Sequence, residues 1–163
     1  MKTLLIVYHS MTGGTQQMAE AAAASARSEA SIAVALKPAP EAQPQDVLGA
    51  AGLIFATPEN LGSMSGRMKD FFDRTYYAAL DRVQGRPYAS MICAGSDGRN
   101  AAQQIDRIAA GWRLRAVADT LIVCTHAQSP EEILRPKQIP AADLGRCAEL
   151  GATLAAGLAL GIF

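Results

Sequence analysis

Between positions 10 and 15 the sequence sets Ser10, Thr12 and Thr15 around Met11, Gly13 and Gly14, directly after the apolar run Thr3–Tyr8. Hydroxyls and glycines packed this closely are suited to holding an anion. A loop that leads from a strand into a helix start carries unpaired N–H groups and the positive end of the helix dipole. Glycines let the backbone curl and come close to a ligand. Hydrogen bonds to a charged group contribute about 1.5–3 kcal/mol each, so the cage can hold a dianionic phosphate monoester without a cation. Other phosphate chemistries fit less well. GxxxxGK[ST] and GxGxxG are both absent, and no lysine follows the loop. No acidic pair ends the first apolar run, no aspartate ends the third, and no cysteine lies in the loop, which disfavours a phospho-accepting domain and a cysteine phosphatase. A glycine turn with an N-cap and no ligand is the alternative.

Two further loops share the chemistry of close approach. The stretch TPENLGSMSGRMKDFFDR, residues 57–74, combines Thr57, Pro58, Glu59, Asn60, Leu61, Gly62, Ser63 and Met64 ahead of a helical pattern that Ser65 can cap. Gly95, Ser96, Asp97 and Gly98 form the second, followed by Arg99 and Asn100. Asp97 and Asn100 read as turn and N-cap residues, and Arg99 as a solvated side chain or a guide for a phosphate. His9 borders the first loop and invites a catalytic role, but neither it nor His126 is taken as a catalytic group. Cys93 and Cys124 lie in apolar runs and Cys147 in a helical one, with no CxxC or Cys/His spacing for a metal. No catalytic side chain and no metal ligand is expected.

These loops need strands to carry them. Five apolar runs read as strands: Thr3–Tyr8, Ser31–Leu36, Leu53–Thr57, Tyr88–Ala94 and Asp119–Cys124. They are near-continuously hydrophobic, as expected for strands covered on both faces. Helical patterns separate them. Thr15–Arg27 is alanine-rich. Met68, Phe71, Phe72, Tyr76 and Ala79 recur at helical steps, as do Ile105, Ile108, Ala109 and Trp112, and Leu144 through Leu158. Phe71, Phe72 and Trp112 are expected in the core. The second crossover holds three prolines within PAPEAQPQ, so its helix should be short. Alternating strand and helix implies an α/β fold: a doubly wound, five-stranded parallel sheet of order 2-1-3-4-5 in a three-layer αβα sandwich. Residues 1–163 then form a single domain. Ligands bind beyond the carboxyl ends of the strands where the winding reverses, which points to the loops after strands 1, 3 and 4. Residues 125–140 form the longest irregular stretch and are expected near the site or at a subunit contact.

The Ser10–Thr15 segment resembles the flavodoxin-type phosphate loop [ST]-x-T-G-x-T. The segment 57–74 is similar to the run after the third strand in NAD(P)H-dependent FMN reductases and flavodoxin-like quinone oxidoreductases. The resemblance covers nearly the whole chain in element order and is residue-specific over 10–15 and 57–74. It implies an FMN cofactor, NADH or NADPH as electron donor, and a small acceptor such as a quinone. By position it implies that Ser10–Thr15 hold the phosphate and that Thr57 reaches the phosphate or ribityl chain. Pro58, Glu59, Asn60, Leu61 and Gly62 would wrap the ribityl and the ring edge, with Ser63, Met64 and the loop Gly95–Gly98 beside the ring. Electron-carrier flavodoxins are typically strongly acidic and stack aromatics on the ring. PENLGSM and GSDGR contain no aromatic residue, which favours a reductase. An electron carrier and a non-catalytic flavodoxin-like module stay open.

Fifteen basic residues balance fifteen acidic ones among 163, so charge steers the protein toward neither nucleic acid nor an anionic membrane surface. The apolar C-terminal stretch LGATLAAGLALGIF is short of the roughly 20 residues of a membrane span and reads as the buried face and tail of a last helix. Sparse, odd-numbered cysteines suggest buried thiols in a cytoplasmic protein. Pairing of subunits in related flavoproteins makes a homodimer a further expectation.

Overall fold

A computed structural model describes residues 1–163. In chain order the elements are β1 (Lys2–Tyr8), α1 (Gly14–Ala26), β2 (Ile32–Pro38), α2 (Pro44–Gly49), β3 (Gly52–Asn60), β4 (Ser63–Met64), α3 (Gly66–Ala79), β5 (Pro87–Ala94), α4 (Arg99–Gly111), β6 (Arg115–Ala116), β7 (Leu121–Cys124), α5 (Pro130–Leu134) and α6 (Ala141–Leu160). The sheet runs β2-β1-β3-β5, with β6 and β7 both paired along the far side of β5. All these pairings are parallel. Counted by the five apolar runs, this is the expected order 2-1-3-4-5. The short pieces β4 and β6 are additions.

Alternate residues of the strands feed two cores. Leu4, Ile6, Ile54 and Ala56 pack with Met18 of α1 and with Leu150 and Leu154 of α6. Leu5, Val7, Leu53 and Phe55 pack with Phe71 and Phe72 of α3 and with Ile105 and Trp112. This two-sided burial is why the strands read as continuous apolar runs. Phe55 and Phe72 have ring centroids 5.1 Å apart, Tyr76 stacks on Trp112 at 5.7 Å, and the Trp112 indole donates to the Tyr76 carbonyl at 2.9 Å. The alanine-rich α1 lets α6 lie close: a Cβ on Gly151 would run into the Ala22 carbonyl. No helix is long and apolar enough to cross a membrane.

The weak second crossover is the six-residue α2, opened by Pro44. The third strand was expected to end at Thr57 and instead continues to Asn60, then turns through Leu61 and Gly62 into β4. Ala56 accepts from His9 N at 3.0 Å and so faces β1. Pro58, two residues on, faces the same side, where β1 has ended. Its missing N–H therefore costs no ladder bond. Leu61 (φ 50) and Gly62 (φ 76) both lie in the left-handed region, as a tight two-residue hairpin turn requires.

Candidate functional site

The carboxyl ends of β1, β3, β5 and β7 open on one edge of the sheet, and their loops surround a cavity of about 650 Å³. The expected residues Ser10, Met11, Thr12, Gly14, Thr15, Pro58, Glu59, Asn60, Leu61, Gly95 and Ser96 line it. Three chain segments far apart in sequence thus meet at the predicted edge. Ser63 and Met64 instead line an adjoining cavity of about 520 Å³, which shares Asn60 and Leu61 with the first.

The phosphate-type loop has the form of an anion cradle. Gly13 is the N-cap of α1 with φ 90, and its N–H donates to Ser10 Oγ at 3.1 Å. The N–H groups of Gly14, Thr15 and Gln16 make no backbone hydrogen bond. Gly14 is packed so tightly that an added Cβ would lie 2.8 Å from Cys93 Sγ and 3.3 Å from Lys137 Cβ. Thr15 is 1% exposed, yet its hydroxyl is the one buried side-chain polar atom without a hydrogen-bond partner. The neighbouring Cys93 thiol feels that hydroxyl but does not satisfy it. Buried polar groups are ordinarily paired, so an unpaired donor facing a cavity marks a place for a ligand atom. Free amides, an orphaned hydroxyl and a glycine-only approach together fit the phosphate end of FMN.

Some expected site residues serve the scaffold. Thr57 is fully buried and does not line the cavity. Its hydroxyl donates to the Pro58 carbonyl at 3.0 Å and accepts from Ser65 N at 3.0 Å, with Ser65 Oγ 3.2 Å away. Ser65 Oγ also accepts from Met68 N at 3.2 Å as the N-cap of α3 and meets His9 Nδ1 at 2.8 Å. The Thr57 hydroxyl is thus engaged within the protein, which leaves it poorly placed to reach a ribityl chain. Gly98 (φ 85) donates its N–H to Glu59 Oε2 at 2.7 Å, which joins the third and fourth loops. Asn100 does not cap α4. Its amide donates to the Gly62 carbonyl at 2.6 Å and steadies the hairpin. Asp97 and Arg99 pair with each other at 2.6 Å in solvent, outside the cavity. The guanidinium holds the Asp97 carboxyl below its usual range.

Sequence reasoning missed Cys93, Ala94, Thr125, Ala127, Gln128, Ile133, Leu134 and Lys137, which complete the lining. Cys93, Ala94 and Thr125 stand at strand ends, where topology alone would have found them. The others belong to the irregular stretch 125–140, which folds over the phosphate-type loop. Lys137 N donates to the Thr12 carbonyl at 2.8 Å, and Gln17 clasps the segment by donating to Lys137 O at 2.8 Å and accepting from Ile139 N at 3.0 Å. Lys137 Nζ lies 3.4 Å from Thr12 Oγ1. The expectation of a cation-free pocket is therefore wrong. The charge arrives from 125 residues away, where no local motif announces it.

The cavity holds no ready nucleophile. Burial pushes the Cys93 thiol up, partly offset by Thr15 and by the charge of Lys137. Burial lowers His9, with Arg67 adding to the effect, which favours its neutral imidazole. No aromatic side chain lines the cavity, and its rim carries the exposed aliphatics Met11, Leu61, Ile133 and Leu134.

A family model described as NADPH-dependent FMN reductase matches residues 3–128. An NAD(P)H dehydrogenase (quinone) of Acidithiobacillus ferrooxidans is 38% identical over 46% of this chain and 48% of its own length. A flavodoxin of Aquifex aeolicus is 37% identical over 60% of this chain and 53% of its own. The chain thus spans about half the length of the curated relatives it matches. Among solved structures, a flavodoxin, WrbA-like protein from Agrobacterium tumefaciens superposes with a TM-score of 0.75 at 20% identity, covering 98% of this chain and 99% of that one. A flavodoxin from the Archaea does so with 0.76 at 18% identity, over 96% and 98%.

Proposed function

Because the chain belongs to the NADPH-dependent FMN reductase family, we propose that it binds FMN in the 650 Å³ cavity and passes electrons from a reduced nicotinamide nucleotide to a small acceptor such as a quinone. The observation that carries the reading is the orphaned Thr15 hydroxyl beside the free amides of Gly14, Thr15 and Gln16. Ser10–Thr15 would hold the phosphate. Pro58, Glu59, Asn60 and Leu61, with Gly95 and Ser96, would border the ribityl chain and ring. Gly62 and Gly98 would shape that border from behind, Ser63 and Met64 from the adjoining cavity, and Gly13 and Thr57 would support it.

When bound, FMN supplies the two-electron redox chemistry. The chain's own part is to bind, orient and leave an opening. The Glu59–Gly98 bond fixes the two loops that flank the opening. Asn100 holds the hairpin that carries Leu61. The aliphatic rim offers a flat apolar reactant a place to lie without competition from a protein aromatic, which favours a reductase over a carrier. No side chain is assigned a proton-transfer role.

Purified protein tests this directly. It should be yellow or take up FMN, and its flavin absorbance should bleach anaerobically with NADH or NADPH and return on addition of a quinone. Flavin that only a partner enzyme reduces would make the protein a carrier. Failure to take up FMN would sink the reading.

A further inference from the structure

The family match ends at residue 128, so the segment that closes the phosphate end of the cavity lies outside it. We infer that Lys137, strapped over the Ser10–Thr15 loop, makes this pocket select phosphorylated flavin over its uncharged counterpart, an inference that rests on the FMN reading above.

The placement of the charge is built, not incidental. The backbone on either side of Lys137 is fastened to α1 and its loop by the Thr12 and Gln17 bonds. The ammonium is gripped from behind by the carbonyls of Glu132, Ile133 and Arg135 at 2.8, 2.8 and 2.6 Å. It is a fixed charge rather than a swinging arm. Lys137 takes part in none of the seven ion pairs of the chain. The Glu132 carboxylate accepts from the amides of Gln128 and Ser129. Glu59 is the one acidic side chain in the lining, and it turns to the Gly98 N–H instead of pairing with Lys137; a cation without an ion-pair partner beside the Ser10–Thr15 loop favours an anion there.

An ammonium has three N–H donors, and the three carbonyls take them all. At 3.4 Å from Thr12 Oγ1, Lys137 therefore acts on the phosphate end as a fixed charge and not as a hydrogen-bond donor. That charge has little to act on in a ligand that lacks the phosphate.

The test compares wild-type protein with Lys137→Met and Lys137→Arg in fluorescence titrations with FMN and with riboflavin, at several salt concentrations. Lys137→Met is expected to weaken FMN binding about tenfold, the scale of one short-range charge–charge attraction, to leave riboflavin binding unchanged, and to flatten the salt dependence. Lys137→Arg, which keeps the charge, should recover most of the loss. Equal weakening of both flavins would reduce Lys137 to a structural strap and overturn the inference. So would FMN affinity that matches wild type. Wild-type protein that binds neither flavin would overturn the FMN reading first and this inference with it.

Discussion

Gly14 rests against Cys93 so closely that a methyl group on Gly14 would come within 2.8 Å of the Cys93 sulfur. The contact joins the start of α1 to the end of β5 and sets how deep the phosphate-type loop sits. Gly14→Ala should therefore force Cys93, Lys137 or Ile139 to move, at about 1–3 kcal/mol of stability, and should weaken FMN binding. Urea unfolding and an FMN titration read the two effects. Adding Cys93→Ala removes the tightest clash and should restore part of both losses. A double variant no better than Gly14→Ala alone would show that the sulfur is not what limits the approach.

Thr15→Val separates folding from binding. The Thr15 hydroxyl is buried and unpaired, so replacing it by a methyl group of similar size should leave the apoprotein as stable or make it more so. FMN affinity should fall by about 1–3 kcal/mol, the value of a lost hydrogen bond to a charged group. Thermal unfolding without ligand, set beside the FMN dissociation constant, checks the pair. A destabilised apoprotein with unchanged FMN affinity would refute the assignment of Thr15.

Ser65→Ala tests the scaffold beneath the site. One buried hydroxyl caps α3 and meets both Thr57 and His9. Its removal should cost about 1–3 kcal/mol, seen as a lower denaturation midpoint. FMN affinity should change less than stability does, because none of Ser65, Thr57 and His9 lines the cavity.

His9 gives stability a pH dependence. Burial lowers its folded-state pKa from the ordinary 6.5, with Arg67 as the second cause. The unfolded chain then binds the proton more readily than the folded one, so the contribution is full above about pH 6.5 and declines as pH falls below it. Replacing His9 by Asn should flatten the stability profile between pH 7 and 5 relative to wild type. An unchanged slope would place the acid sensitivity elsewhere.

The sequence by itself determined the sheet, its order and the edge at which the loops after its first, third and fourth strands meet. Strands covered on both faces must be continuously apolar, helices must show their stripe, and both signals are local. It also determined the Ser10–Thr15 cradle, whose donors lie next to one another along the chain. Only the tertiary structure decided which side chains complete it. Thr57 reads like its neighbours as a donor, yet Ser65, eight residues on, consumes its hydroxyl. Lys137 sits in a proline-flanked irregular stretch with no periodicity, and Gln17 and Thr12 bring it over the loop across more than a hundred intervening residues. Local patterns encode which elements form, because each element solves its own burial and hydrogen-bonding problem. The sign of the charge in a pocket depends on which distant segment folds across it, and that follows from packing that no short stretch of sequence contains.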